Sequence, residues 1–164
     1  MSRLELKIKK DITDYIVEWF GHIAIIFMVI FSILNYNVLP DEIPIHFDMK
    51  GEPNNYGGRQ TILILPIISF LLYVGMFLLN KVPHVFNYLV EITEENVYKQ
   101  YKLATKLMRS INTIIALFFC YLTYKLIGIA SGESENLSIW IMLLFLGGLT
   151  FLIVRYFVNA KKIK

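Results

Sequence analysis

Four long apolar segments constrain this chain more than any other feature. They fall at residues 19–39, 61–79, 111–130 and 138–158. An α-helix rises about 1.5 Å per residue, so about 20 residues cover the roughly 30 Å hydrocarbon core of a bilayer. The second segment lacks the polar stripe that a helix in a soluble bundle shows. The pattern predicts an all-α integral membrane protein with four transmembrane helices and argues against a soluble four-helix bundle.

The composition agrees with a membrane environment. Hydrophobic residues make up 56% of the chain and charged residues 18%, whereas a soluble domain carries about a quarter charged residues. No basic face is interleaved with exposed aromatic residues, so nucleic acid is not an expected partner. The one cysteine, Cys120, lies inside an apolar run, which excludes an intrachain disulfide. We expect the lipid bilayer as a partner and no cofactor.

The basic residues indicate how the four segments are oriented. Thirteen of the 16 lysines and arginines fall in residues 1–18, in the connection 80–110 or near the C-terminus. Cytoplasmic connections carry the excess of Lys and Arg in membrane proteins, so both termini are predicted to be cytoplasmic, in a multi-pass membrane protein. Residues 40–60 and 131–137 are then extracytoplasmic, and residues 159–164 form a cytoplasmic tail.

Charged residues are sparse inside the predicted spans. Lys125 and Arg155 are the only ones, and both lie near the ends of their segments, where long side chains reach the head groups. A proton relay or an ion-coupled carrier normally needs an ionisable side chain near the bilayer midplane. The sequence therefore argues against a pump or a secondary transporter.

The connection between the first two segments has the features of an ordered lid. Its prolines disfavour helix in the residues before them, and its glycines are typical of turns. Ile43, Ile45 and Phe47 alternate with Pro44 and His46. This spacing predicts a short extended piece with one apolar face, folded back onto the ends of the spans.

One histidine in this connection is accompanied by three carboxylates. His46 lies near Asp41, Asp48 and Glu52 in the sequence. Imidazole and carboxylates can hold Zn²⁺ and activate water, but no H-E-x-x-H or C-x-x-C spacing is present. Three interpretations stay open. His46 locks the lid by hydrogen bonds, recognises a ligand, or binds a metal, for which it is a weak candidate.

The connection 80–110 contains a second region of interest. A hydroxyl and two acids at residues 93–95 are typical of a helix start. Val97, Tyr101, Ala104 and Met108 follow at helical spacing, and no Gly or Pro intervenes before the third segment. We expect an amphipathic helix from about residue 94 that continues into that segment. Its apolar line either packs on the other spans, with its lysines near anionic lipid, or docks a cytoplasmic partner.

Two motifs, one in two parts in the connection 40–60 and one in the connection 80–110, give the chain a resemblance to a known family. Residues 39–47 read LPDEIPIHF, residues 51–57 read GEPNNYG, and residues 87–104 read NYLVEITEENVYKQYKLA. Together they resemble the domain of unknown function found in bacterial membrane proteins of the SdpI type. That resemblance implies immunity to, and signalling about, a secreted peptide toxin outside the cell, with a membrane-held repressor as the cytoplasmic partner. Asn54 and Asn55 stand where the resemblance leads us to expect an acid.

The loop chemistry and the resemblance together define two sets of candidate residues. Ligand or partner contacts in the outer loop are expected at Asp41, Pro44, His46, Phe47, Asp48, Glu52 and Tyr56. Cytoplasmic docking contacts are expected at Asn87, Tyr88, Thr93, Glu94, Glu95, Asn96, Gln100 and Tyr101.

Three functions follow, in order of preference. The first is a membrane binding protein that recognises, or protects against, an extracytoplasmic peptide. The second is an accessory subunit of a membrane complex, because small residues at Gly75, Gly147 and Gly148 permit close helix contact. The third is a membrane enzyme or metal-binding protein that uses His46, although the sequence leans away from an enzyme.

Overall fold

The computed structural model describes residues 3–134 and 136–163 and is mainly helical. Met1, Ser2, Glu135 and Lys164, which fall in the predicted tails and the predicted 131–137 turn, lie outside these residues. The elements in chain order are α1 (Ile12–Asn35), β1 (Glu42–Phe47), β2 (Pro53–Gly58), a 3-10 helix (Arg59–Leu63), α2 (Ile64–Leu79), a second 3-10 helix (Pro83–Val85), α3 (Val97–Ala130) and α4 (Ile139–Ala160).

The four-helix prediction is confirmed. Four helical stretches of the described chain are long and apolar enough to cross a membrane. The second is a composite, in which the 3-10 helix Arg59–Leu63 leads directly into α2. Pro66 lies in the first turn of α2, where its missing N–H costs least. The predicted second and fourth spans agree with their helices to within a few residues.

Helix α1 begins seven residues before the predicted start at residue 19. Asp11 caps it, because its side chain accepts from the Asp14 N–H while the Asp14 side chain accepts from the Asp11 N–H. This reciprocal capping box satisfies two backbone donors at the helix start. The helix thus extends beyond the predicted span into residues 12–18, where Asp14 and Glu18 read in the sequence as part of a charged tail. In the fold both carboxylates are buried within α1.

Helix α3 is continuous from Val97 to Ala130, as predicted. Its 34 residues correspond to about 50 Å. One turn before it, the Thr93 N–H donates to Asn96 Oδ1 (3.0 Å) and the Asn96 N–H donates to Thr93 Oγ1 (3.3 Å). The Thr93 hydroxyl therefore accepts from a backbone N–H near the helix start, but Asn96 is the N-cap residue, and the two acids Glu94 and Glu95 precede the first turn and do not lie in it.

Helix α3 is the central element of the bundle and contacts α1, α2 and α4. One core cluster lies between α1, α2 and α3 and contains Ala24, Ile25, Met28, Tyr73 and Ala116. A second cluster joins β1 to the ends of the helices and contains Leu39, Ile43, Ile62 and Ile127. The small sheet is therefore anchored on the bundle by its own apolar side chains.

The helix directions define two ends of the molecule. The hairpin end carries β1, β2 and the turn between α3 and α4. The terminal end carries residues 3–11, the connection between α2 and α3, and the C-terminus. Lys50, Arg59 and Lys125 belong to the hairpin end, whereas the other described lysines and arginines belong to the terminal half.

Helix α4 is peripheral. It packs chiefly against α3, and Ala160 is its one buried residue. The rings of Phe118 of α3 and Phe145 of α4 stack with their centroids 3.9 Å apart and join the two helices. Most of the large apolar side chains of α4 are exposed, as a lipid-facing helix requires.

Candidate functional site

The first candidate site is the antiparallel hairpin formed by β1 and β2. Ile43 pairs with Gly57 and Pro44 with Tyr56, and the register then shifts around Ile45. The extended conformation predicted for this segment is confirmed, but the prediction of a single apolar face is wrong. At the bulge Ile45 is 45% exposed, whereas Ile43 and Pro44, which are neighbours in the sequence, are both buried. A bulge inserts an extra residue, which ends the strict alternation of faces.

The turn of the hairpin is organised by Asp48. Its Oδ1 accepts from the backbone N–H groups of Lys50 (2.8 Å) and Glu52 (3.0 Å). The hydrogen bond from the Glu52 N–H is the largest cause that lowers the pKa of the Asp48 carboxyl below its ordinary value. Asp48 therefore acts within the turn and stabilises it as a carboxylate.

Gly51 joins this turn to the opposite loop. Its φ is +81°, and its carbonyl accepts from the Leu137 N–H at 3.0 Å. A Cβ at this position would lie 2.0 Å from the Leu137 carbonyl oxygen. Only glycine adopts this φ without strain and leaves room for the Leu137 carbonyl. The hydrogen bond between Gly51 and Leu137 fixes the hairpin against the start of α4.

His46 contacts an amide and not a carboxylate. Its Nδ1 donates to Asn54 Oδ1 across the hairpin at 2.6 Å, on the exposed surface. Asp41 instead lies 3.8 Å from Arg59 and is almost fully exposed. Within residues 3–134 and 136–163, no three His, Cys, Asp or Glu side chains come together in a way that could hold a metal ion. His46 is thus placed to brace the hairpin through Asn54.

Beneath β1 lies an apolar depression of about 360 Å³, which we call the hairpin groove. It opens between the hairpin and the tips of α2 and α3. Its walls are Ile43, Pro44, Ile45, Phe47, Thr61, Ile62, Ile64, Leu65, Leu122, Leu126 and Leu137. Pro44 and Phe47 of the predicted outer-loop set are among them, and Tyr56 is 56% exposed on the neighbouring strand. A groove of this kind accepts apolar side chains.

The exposed rim of the hairpin is acidic. Its exposed acids are Asp41, Glu42, Asp48 and Glu52, and its basic residues are Lys50 and Arg59. The combination of an apolar groove and an excess of exposed acids in the same hairpin favours a ligand that is both apolar and cationic.

At the terminal end, two residues predicted to dock a partner are fully buried. Gln100 Nε2 donates to the carbonyl oxygens of Ala160 (2.9 Å) and Ile163 (3.1 Å). The Tyr101 hydroxyl donates to the Leu4 carbonyl at 3.2 Å. Both side chains have no exposed surface. The structure corrects the docking set, because these side chains join both chain termini to α3 and are not accessible to a partner.

The other residues of the predicted docking set fall into two groups, those that bond within the chain and those that remain exposed. Asn96 is buried at 4% exposure and donates to the Glu91 carbonyl, so it too acts within the chain. The Tyr88 hydroxyl donates to the Pro83 carbonyl at 2.9 Å, and burial raises the pKa of this phenol. The residues of the set that remain exposed are Asn87, Thr93, Glu94 and Glu95.

The apolar line of α3 is confirmed as a packing surface, since Val97, Tyr101 and Ala104 are buried. The lysines beside it were expected near lipid, but two of them face Asp11. Lys106 Nζ lies 2.5 Å, and Lys102 Nζ 3.9 Å, from Asp11 Oδ2.

Sequence reasoning missed a buried charge cluster between α1 and α3. Arg109 Nε donates to Glu18 Oε1 at 2.9 Å, and Arg109 Nη1 lies 3.3 Å from Asp14 Oδ1. The three side chains are 4–9% exposed. Asp14 and Glu18 are four residues apart and so share one face of a helix. Two acids on one face of an apolar helix require a cation, and this signal was present in the sequence.

The fold and the two ends define the class of the molecule, a multi-pass membrane protein with a structured hairpin at one end. Residues 23–70, which cover most of α1, the hairpin and the start of α2, match the family described as Domain of unknown function (DUF1648). The match covers less than half of the chain.

A protein of Archaeoglobus fulgidus, described as "Uncharacterized protein", is 34% identical over 73 residues. The matched region is 40% of this chain and 40% of the archaeal one. The chain therefore spans well under two thirds of the length of this relative. No solved structure matches the chain.

Proposed function

We propose that this chain is a binding protein of the bacterial inner membrane that recognises an extracytoplasmic peptide in the hairpin groove. The observation that carries the proposal is the groove itself. Apolar side chains of β1 and of the tips of α2 and α3 surround an open space of about 360 Å³. A ligand side chain there would exchange water for apolar surface, which contributes about 25 cal/mol per Å².

The proposal requires the hairpin end to face outward, and the distribution of lysines and arginines supports this orientation. Most lysines and arginines of the described chain belong to the terminal half. Short connections rich in these residues stay in the cytoplasm. The hairpin end then faces outward, where a secreted peptide meets it.

The charges of the hairpin restrict the class of peptide that we propose as the ligand. Exposed acids outnumber basic residues in the hairpin that forms one wall of the groove, so a cationic peptide with large apolar side chains is the occupant we propose. Immunity to a peptide toxin of the SdpI-associated type is one function of such binding. Signalling to a cytoplasmic repressor would use the residues of the docking set that stay exposed, such as Asn87, Glu94 and Glu95.

Binding of a defined probe tests the proposal. The full chain in neutral-lipid nanodiscs is titrated with a fluorescent peptide of alternating leucine and lysine, and empty nanodiscs give the background. Ile45 lines the groove, and Met49 is 92% exposed in the same hairpin but does not line it. We expect Ile45→Asn to weaken binding about tenfold, or about 1.4 kcal/mol, and Met49→Asn to leave it unchanged.

Two outcomes would oppose the proposal. Equal binding to nanodiscs with and without the protein would mean that the peptide binds only the lipid. Equal losses in both variants mean that the groove is not the site. If binding is confirmed, survival of cells that express the chain during exposure to the same peptide separates protection from recognition alone.

A second function is favoured by a different observation. Apart from the backbone of α4 itself, no atom of the described residues lies within 4 Å of the position that a Cβ would take at Gly147 or Gly148. This face of α4 is open to another membrane helix, which small residues allow to approach closely. An accessory subunit would use this face, and the substitution Gly148→Leu would release its partner in mild detergent without changing peptide binding.

A further inference from the structure

A basic cavity lies at the terminal end, far from the hairpin groove. It has a volume of about 560 Å³ and is bounded by residues before α1 and after α2 together with Arg109 of α3. Lys7, Lys10, Lys81 and His84 line it, with Glu5 as the acid on its wall. The chain thus folds basic residues from three separate segments around one space.

The charges around this cavity do not balance. Glu18 and Asp14 face Arg109, and Glu18 also lies 2.5 Å from Lys10. Glu5 lies 3.8 Å from the His84 ring. Among the described residues, Lys7 and Lys81 make no ion pair. Two ammonium groups therefore remain available to an anion that enters the cavity.

The floor of the cavity carries polar groups that the protein leaves unsatisfied. Asn80 is 8% exposed, and its Oδ1 has no hydrogen-bond partner within the described chain. Arg109 is 6% exposed, and its Nη1 lies near Asp14 without forming a hydrogen bond. A buried polar group without a partner is destabilising, so both groups favour a polar ligand. Arg109 offers a donor, and Asn80 Oδ1 offers an acceptor for a hydroxyl.

The position of the cavity indicates which anion it meets. Lys81 follows the last residues of α2, and Lys10 precedes the first turn of α1. Their ammonium groups lie 4.9 Å and 5.6 Å from the centroid of the same ring, that of Phe77 on α2. Two cations that flank the end of an apolar helix lie at the depth of lipid head groups. Leu6 and Val82 add apolar surface to the wall.

We propose that the basic cavity binds the head group of an anionic phospholipid. The phosphate contacts Lys7 and Lys81, and a head-group hydroxyl donates to Asn80. The acyl chains leave along the apolar surface of α1 and α2. This site is independent of peptide recognition in the hairpin groove.

Native mass spectrometry of the full chain tests this proposal with phosphatidylglycerol and phosphatidylcholine as probes. We expect one phosphatidylglycerol to be retained per chain in a saturable manner, with no comparable retention of phosphatidylcholine. The double variant Lys7→Gln, Lys81→Gln should weaken retention by about fivefold for each lysine lost, since one basic residue near the surface contributes about 1 kcal/mol.

Matched controls keep the result specific. Lys50→Gln, Lys125→Gln removes the same charge at the hairpin end and should not change retention, while Lys81→Arg should preserve it. Unaltered helix content and unfolding temperature show that each variant is folded. Equal losses in the two double variants would overturn the proposal, as would unchanged retention in Lys7→Gln, Lys81→Gln. Displacement of the lipid by excess glycerol 3-phosphate would assign the cavity to a free phosphate and overturn the lipid assignment.

Discussion

Arg109 of α3 donates from Nε to Glu18 Oε1 of α1 over 2.9 Å, inside a contact that excludes solvent. This pair joins residues 91 positions apart and brings together the two longest helices of the described chain. Lys10 reaches the second oxygen of the same carboxylate. The carboxylate thus has two basic partners, which compensate the cost of its burial.

Removal of the guanidinium should destabilise the protein strongly. Arg109→Gln leaves Glu18 and Asp14 buried with too little positive charge, and loss of one partner of a buried pair costs about 3–5 kcal/mol. Thermal unfolding in a neutral detergent measures the effect. The exposed residue Arg155 of α4 supplies the control, because Arg155→Gln removes the same charge without uncovering an acid. A loss no larger than that of Arg155→Gln would contradict the role of the cluster.

The contact between Gly51 and Leu137 predicts a second, localised effect. Gly51→Ala places a methyl group 2.0 Å from the Leu137 carbonyl oxygen and also strains a residue at φ +81°. Gly132 is a matched control, since its φ is +77° and no described residue other than its chain neighbours lies within 4 Å of its Cβ position. Gly132→Ala should cost about 1–2 kcal/mol of backbone strain alone.

We expect Gly51→Ala to lose clearly more stability than Gly132→Ala and to expose the hairpin to proteolysis. Limited proteolysis of both variants, read by mass spectrometry, measures where the chain opens. If the two variants behave alike, the hairpin does not depend on its contact with the start of α4.

The turn at Asp48 predicts a dependence on pH. The pKa of the Asp48 carboxyl lies below its ordinary value of 3.8 in the folded chain, so the carboxylate stabilises the fold at neutral pH. This contribution is present above pH 3.8 and is lost as the pH falls through the lowered pKa. Asp48→Ala should therefore lower the unfolding temperature at pH 7, and the difference from the unaltered protein should shrink below pH 4.

The pKa of Asp11 is lowered as well, chiefly by its hydrogen bond from Lys106. Protonation of Asp11 in acid therefore destabilises the Asp48→Ala variant and the unaltered chain alike. For this reason the comparison uses the difference between Asp48→Ala and the unaltered chain at each pH. A difference that stays constant from pH 7 to pH 3 would show that the charge of Asp48 does not support the turn.

Gln100 distinguishes a structural role from a docking role. Its amide holds the carbonyl oxygens of Ala160 and Ile163, so Gln100→Ala should cost about 1–3 kcal/mol and free the C-terminus for digestion by carboxypeptidase. Lys99→Ala, at the exposed neighbouring position on α3, should leave both properties unchanged. If Gln100→Ala were as stable and as resistant to carboxypeptidase as Lys99→Ala, the structural role of Gln100 would be contradicted and a docking role would be favoured.

The four spans and the unbroken α3 could be predicted because their signals are local. Length, apolar content and the absence of Gly or Pro are read from consecutive residues. The start of α1 has a local signal in the Asp11–Asp14 capping box, but Asp14 and Glu18 read as a charged tail because Arg109, 91 positions from Glu18, meets them only in the fold. The exposure of Ile45 was missed for a related reason, since a bulge depends on strand register and not on spacing. The contact of Gly51 with Leu137 likewise has no local signature.

The orientation of the hairpin end tests the central claim most directly. In a Cys120→Ala chain that carries Lys50→Cys at the exposed hairpin turn, a membrane-impermeant maleimide is applied to intact cells and to permeabilised cells. We predict full labelling of Cys introduced at this position in intact cells, with no increase after permeabilisation. Labelling that occurs only after the membrane is opened would place the hairpin in the cytoplasm and contradict peptide recognition from outside.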